Sequence, residues 1–310
     1  MKLSARKVNN YDLYASHAWY VPGVKGMFAI FGLFLLGSFL GSLVEMICMG
    51  ILPEEVVQKY SMVVVYPLSF IPAMLYVAYK SQRNSLFEKG YKLNSSNFGS
   101  LGLWGAIGLS VVLAFATMIV ADLPNYWNYT LTMRSAFMQR LFETVKQAME
   151  LITSGPLWSS FLVTAIFAPI FEEWMCRGVV LRGLLVKMKP AWAIVLSALF
   201  FALIHMNPWQ ALNAFIIGLV MGYVYYRTGS LLLTMLLHFV NNATAVIIAQ
   251  FSSLDEMDMW IDVIPHGTYA IVYVAGLVVF ALILFAFSKI PLNAPHGNID
   301  VIETEPETEA

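Results

Sequence analysis

An all-α polytopic membrane bundle of about eight transmembrane helices is the fold class this sequence predicts, and three observations predict it. Hydrophobic residues make up 59% of the 310 and charged residues only 12%, with a mean hydropathy of +0.70. A soluble domain holds roughly 45–50% apolar and about 25% charged residues. The charges are gathered into short stretches between long apolar runs. Those runs are continuous, not alternating, so they read as helices instead of barrel strands. Most reach the ~18 residues needed to cross ~30 Å of hydrocarbon.

Taken in order, a polar arm (residues 1–26) precedes the first run and is expected in the cytoplasm. Three transmembrane helices follow within 27–121, at 27–49, 61–79 and 99–121. The first is too long for a signal-peptide core and no small-residue cleavage site clearly follows, so it should be retained. The outer loop 122–155 carries Phe137, Leu141, Val145, Ala148 and Ile152 at helical spacing, with Arg140, Lys146 and Gln147 between them. That pattern predicts an amphipathic helix lying at the interface or capping the bundle. A transmembrane core over 156–251 holds spans at 156–175, 191–207, 211–226 and 230–251. An outer loop and the last span, 268–288, complete the bundle within 252–288. The tail 289–310 is acidic, Pro- and Thr-rich, without an apolar face, and is expected to be disordered.

Lys and Arg set the orientation. With the N-terminus inside, the inner segments hold Lys2, Arg6, Lys7, Lys25, Lys80, Arg83, Lys89, Lys92, Arg177, Arg182, Lys187, Lys189, Arg227 and Lys289. The outer loops hold only Lys59, Arg134, Arg140 and Lys146, and loop 252–267 carries Asp255, Glu256, Asp258 and Asp262 with no Lys or Arg. Both termini are therefore expected in the cytoplasm. A net charge of −1 argues against nucleic acid as a partner. Cys48 and Cys176 fall in or beside apolar segments and read as two free thiols, not a disulfide framework.

Charged side chains inside a span cost roughly 2.5–3.5 kcal/mol each on insertion scales, so they need a reason. Here they concentrate between residues 171 and 242. The fourth span ends Phe171-Glu172-Glu173-Trp174-Met175-Cys176-Arg177. Glu173 and Arg177 are i and i+4 and can pair on one face. Glu172 points about 100° away and lacks that partner, which suits a general base. The bland reading is a solvated helix end at the headgroups. The fifth span ends in His205, and the seventh holds His238-Phe239-Val240-Asn241-Asn242. His238 and Asn242, again i and i+4, share a face; Asn241 faces elsewhere and reads as an interhelical hydrogen bond. A lone membrane histidine is more often a packing residue, but two of the chain's five lie well inside spans.

Together these residues supply what water-driven amide hydrolysis needs. Glu172 takes a proton from water, His205 holds or polarises that water, and His238 and Asn242 donate to the oxyanion. Alternatively Glu172, His205 and His238 are three ligands of a zinc ion with water in the fourth position. The sequence leaves both versions open.

Glu172-Glu173-x-x-x-Arg177, Phe201-x-x-x-His205 and His238-x-x-x-Asn242 resemble the three motifs of the type II CAAX prenyl endopeptidase family, which includes the bacterial CPBP proteins of bacteriocin processing and self-immunity. The likeness covers about residues 156–250. It implies an eight-helix membrane bundle, an intramembrane endopeptidase, and a membrane protein or lipidated peptide as substrate within membrane lipid. It also implies Glu172 and His205 as the catalytic pair on water, His238 and Asn242 at the oxyanion, and Glu173 and Arg177 as their support. The family's metalloprotease label points to zinc or to no metal at all. Likeness to bacterial members points to a bacterial cytoplasmic membrane.

Helix rise places Glu172 ~22–24 Å from the outer end of its span and His205 ~20 Å from the inner end of its own, at opposite depths. Their meeting requires tilted or offset helices, a kink at Pro169, or a fourth span continuing toward Lys187. Asn207-Pro208 reads as a stop and turn. Glu45 reads as a solvated helix end with Glu54 and Glu55 close behind; His17, His266 and His296 lie in loops or flanks. Two rival functions remain. One is a proton-coupled transporter, disfavoured because one half alone carries the polar set. The other is a non-catalytic immunity or binding protein of the same fold.

Overall fold

The computed structural model describes residues 20–80, 98–153, 155–251 and 259–292. The expectations for most of the N-terminal arm (with His17), for Arg83, Lys89 and Lys92, for Asp255, Glu256 and Asp258, and for the tail from 293 (with His296) concern residues outside these. Every regular element among the described residues is helical. Helix α1 is Val24–Met49, α2 Glu54–Leu68, α3 Ile71–Lys80, α4 Gly102–Thr132 and α5 Ala136–Thr153. A continuous rod, α6, is built from Leu157–Phe161, Leu162–Phe167, Ala168–Glu173, Trp174–Leu181 and Arg182–Lys187. Then come α7, Pro190–Ile204; α8, Pro208–Thr228; α9, Leu231–Phe251; α10, Trp260–Val263; and α11, His266–Ser288.

Six stretches are long and apolar enough to span a membrane: Val24–Met49, Glu54–Lys80, Gly99–Thr132, Leu157–Leu185, Leu231–Ala249 and His266–Ser288. The chain is an integral membrane protein with an all-α bundle fold. Of the eight spans expected, the fifth is an apolar helix of only 15 residues, α7. The sixth, α8, has the length, but Gln210, Asn213, Arg227 and its tyrosines dilute its apolar character. Helix α4 continues to Thr132, eleven residues past the expected end, because no breaker follows Pro124 until the turn at Met133. Helix α5 sets Phe142 edge-on against Trp209 and Tyr129, with ring centroids 5.0 and 5.5 Å apart. The indole Nε1–H of Trp209 donates to Thr132 Oγ1 at 3.0 Å.

The depth conflict in the sequence disappears because α6 does not stop near Arg177. It runs on to Lys187, so Glu172 lies roughly 20 Å from that end, and His205 lies roughly 24 Å from Lys189 at the start of α7. The two residues reach similar depth from the same side. His238 is only about 10 Å from the start of α9, yet it joins them, because α9 itself begins inside the protein. Thr228, Ser230 and Leu231 are buried. Gly229 takes the left-handed conformation, φ 64°, that turns the chain there. The polar groups of this sunken turn are met locally: the Ser230 amide donates to Thr228 Oγ1 and the Leu233 amide to Ser230 Oγ. Arg227 covers the turn by donating to the carbonyls of Phe287, Ser288 and Ile290 at the end of α11.

Helices α1 and α2 meet at backbone distance. A Cβ built on Gly37 would fall 2.1 Å from the Ser69 carbonyl oxygen, and one on Gly41 would fall 2.8 Å from Val65 Cγ1. Close approach of this kind is how helices pack in lipid, where small residues replace the hydrophobic drive. Gly37→Ala is therefore expected to force α1 from α2 and destabilise the protein by about 1–3 kcal/mol, read as a lower unfolding midpoint in detergent. Gly32→Ala is the control: among the described residues nothing lies within 4 Å of its Cβ position, so the midpoint should hold or rise through helix propensity.

Candidate active site

Adjacent residues on a helix diverge by about 100°, and Glu172 and Glu173 use that divergence to face different neighbours. Glu173 is fully buried and its Oε1 accepts from Arg177 Nη1 at 2.6 Å. Arg177 is fully buried too, donates from Nη2 to the Gly218 carbonyl at 3.1 Å, and lays its guanidinium 4.4 Å over the Phe201 ring. This segment, Trp174–Leu181, is π-helical. The wider turn brings i and i+4 more nearly into line than an α-turn does, so the pair is close and neutral.

Glu173 also accepts from His238 Nδ1, 3.1 Å away. That bond leaves His238 Nε2 facing inward, 3.9 Å from Glu172 Oε2. From the other side His205 donates Nδ1–H to the Phe201 carbonyl at 2.7 Å. Its Nε2 therefore carries the lone pair and sits 4.0 Å from the same Glu172 oxygen. Glu172 Oε2 is buried and accepts no hydrogen bond among the described residues. Two acceptors 4.0 Å apart suit one shared water: at ~2.8 Å from each, its two O–H bonds would point at Oε2 and Nε2. The His205 side chain keeps 22% of its surface exposed, so the cluster is open on that side.

Five of the six residues singled out in the sequence thus converge: Glu172, Glu173, Arg177, His205 and His238. Asn242 is placed differently. Its Nδ2 donates to the Thr164 carbonyl at 2.8 Å, and its Oδ1 accepts from Asn241. The reason is Pro169. Leu162–Phe167 is π-helical, with the Ala168 amide bonding back five residues to Val163. The next amide in that register would reach Thr164, but residue 169 is a proline and has no N–H. The orphaned carbonyl takes the asparagine, which ties α9 to α6 and leaves Asn242 one amide N–H. Asn241 does not cross to another helix but bonds its neighbour.

Two contributors were given no role from the sequence, although Phe201 stands at the head of the His205 motif. Phe201 supplies the carbonyl for His205, the face for Arg177, and edge contacts to both imidazoles, with ring centroids 4.8 and 5.4 Å apart. Tyr66, on α2, donates its hydroxyl to Glu172 Oε1. Its only sequence signal was a polar-tipped aromatic in the middle of an apolar span. Glu45, read as a solvated end, accepts from Ser61 Oγ at 2.6 Å and joins α1 to α2.

Residues 153–244 match the family model described as Type II CAAX prenyl endopeptidase Rce1-like. The match supports the type II CAAX protease family for this stretch. Its bounds enclose every residue of the cluster except Tyr66, and α1 to α4 lie outside it. The match supports a CAAX protease-like intramembrane endopeptidase as the broad class. Searches among curated proteins and among solved structures found no match. As for a metal, no group of three His, Cys, Asp or Glu among the described residues is spaced to hold one. Tetrahedral zinc with bonds of ~2.0–2.2 Å needs its ligand atoms roughly 3.4 Å apart, closer than the 3.9 and 4.0 Å found here.

Proposed function

We propose that this Rce1-like protein hydrolyses a peptide bond within the membrane using water activated by Glu172 and His205. The observation that carries the reading is the buried Glu172 Oε2, without a hydrogen-bond partner among the described residues and faced by two imidazole Nε2 atoms at 3.9 and 4.0 Å. Water donates one hydrogen to Glu172 and the other to His205. As its oxygen attacks the scissile carbonyl carbon, its proton passes to Glu172. Charge then grows on the carbonyl oxygen. His238, protonated and held at Nδ1 by Glu173, donates Nε2–H to it, and the remaining N–H of Asn242 is the second donor. Glu172 returns its proton to the leaving amine, which regenerates the carboxylate and releases an acid and an amine. Arg177 neutralises Glu173, so the pair orients His238 without adding net charge.

The substrate is a membrane protein or a lipidated peptide that reaches the site through lipid. Both termini lie in the cytoplasm of a bacterial cell, by the distribution of Lys and Arg and the likeness to bacterial members. The test compares peptide termini across membranes of cells making wild type or Glu172→Gln at matched levels. New termini with wild type alone support hydrolysis and name the substrate; identical termini, with both proteins inserted, overturn it and favour a binding or transport role.

Metal use is tested separately. The step above runs without a metal, so wild type stripped with a strong chelator is expected to cleave that substrate at an unchanged rate. Loss of activity restored by zinc alone would instead make Glu172, His205 and His238 ligands, each drawn inward by a few tenths of an ångström.

A further inference from the structure

We infer that Tyr66, outside the family-matched segment, is a positioning residue for the Glu172 carboxylate; this rests on the hydrolytic reading above. Helix α2 and α3 together form one span, Glu54–Lys80. Tyr66 lies about 18 Å from its first residue and about 21 Å from its last. At that depth the phenol is far from both headgroup layers, and its O–H finds its partner inside the protein. The partner is Glu172 Oε1. Glu172 has two oxygens; fixing one by a donor sets the plane of the carboxylate and aims Oε2 between His205 and His238. A carboxylate without that bond is free to rotate about its last torsion, which is broad for Glu.

The phenol is held through Phe70, which has three aromatic neighbours. Tyr66 packs against Phe70 with ring centroids 5.5 Å apart; Phe70 stacks on Phe171, one residue before Glu172, at 5.3 Å and 22°. Phe34 of α1 closes the group at 5.2 Å from Phe70. The Gly37 and Gly41 contacts with Ser69 and Val65 bring α1 against the turn of α2 that carries Tyr66. The N-terminal helices thus supply part of the active-site geometry, not only a lipid-facing scaffold.

The test uses the purified full chain and a peptide spanning the cleavage site found in the termini experiment, with Glu172→Gln as the inactive reference. Tyr66→Phe removes one oxygen and keeps the ring packing. It is expected to lower kcat about 10- to 100-fold, the scale of a misplaced reacting group, with KM within about twofold and the unfolding midpoint near wild type. An unchanged kcat, or a rise in KM alone, overturns the assignment. A second readout does not depend on turnover. The infrared carboxylate bands assigned to Glu172, from the difference between wild type and Glu172→Gln, are expected to shift in Tyr66→Phe. Unshifted bands show that the phenol does not hold the carboxylate. If wild type cleaves nothing, the hydrolytic reading fails first and takes this one with it; if only Tyr66→Phe is indistinguishable from wild type, the hydrolytic reading stands alone.

Discussion

Purified Glu172→Gln is expected to lose about 10²- to 10⁴-fold in kcat, the range that general-base catalysis supplies, while folding as wild type does. The side chains are isosteric. The amide oxygen still accepts from Tyr66, and no Lys or Arg pairs with Glu172 among the described residues, so no permanent cation is stranded by the change. What disappears is the only function proposed for Oε2, taking a proton from water between itself and His205. Glu172→Asp separates geometry from basicity. It keeps a carboxylate but withdraws it by one methylene from both imidazoles and from the phenol, so a loss of about 10²-fold is expected from misplacement alone. Steady-state cleavage of the substrate peptide, with unfolding midpoints measured in parallel, checks both. A glutamine variant within tenfold of wild type would remove Glu172 from the chemistry.

Arg177→Met should be the most damaging substitution for stability. Arg177 and Glu173 are both fully buried and 2.6 Å apart. In such a pair the Coulomb attraction roughly offsets the loss of hydration, so the pair adds little net stability, but removing one partner strands the other. Methionine fills the volume and leaves Glu173 with His238 but no permanent cation, at a cost of about 3–5 kcal/mol. It also leaves the Gly218 carbonyl without its side-chain donor. The double variant Glu173→Gln with Arg177→Met removes both charges and is expected to recover most of the stability but not the activity, since His238 loses the anion at Nδ1. Denaturant unfolding of wild type, the single variants Glu173→Gln and Arg177→Met, and the double variant gives the coupling directly; additive losses would contradict a paired role.

Much of this was legible without coordinates. Composition alone demands a membrane bundle, because a chain with 12% charged residues and long apolar runs has no other way to satisfy its backbone. The Glu173–Arg177 pair follows from helical periodicity, and so does the divergence of Glu172 from it. These inferences work because they depend on spacing within one helix, which the sequence states directly.

Tertiary structure decided whatever depended on relations between helices. Rise per residue counted from span edges put Glu172 and His205 at opposite depths, since hydropathy marks where apolar character fades and not where a helix stops; Arg177 and Arg182 are buried by neighbours, so α6 continues through them to Lys187. His238 reaches the same depth because α9 starts at a turn sunk inside the bundle, a fact invisible in a local window. Asn242 was grouped with His238 by periodicity, but the carbonyl it meets is free only because Pro169 falls in a π-helical register. Tyr66 is 106 residues from Glu172 in sequence and touches it in space. One chain shows the periodicity of each helix; which faces meet, and how far each helix slides along the next, is set by packing between them.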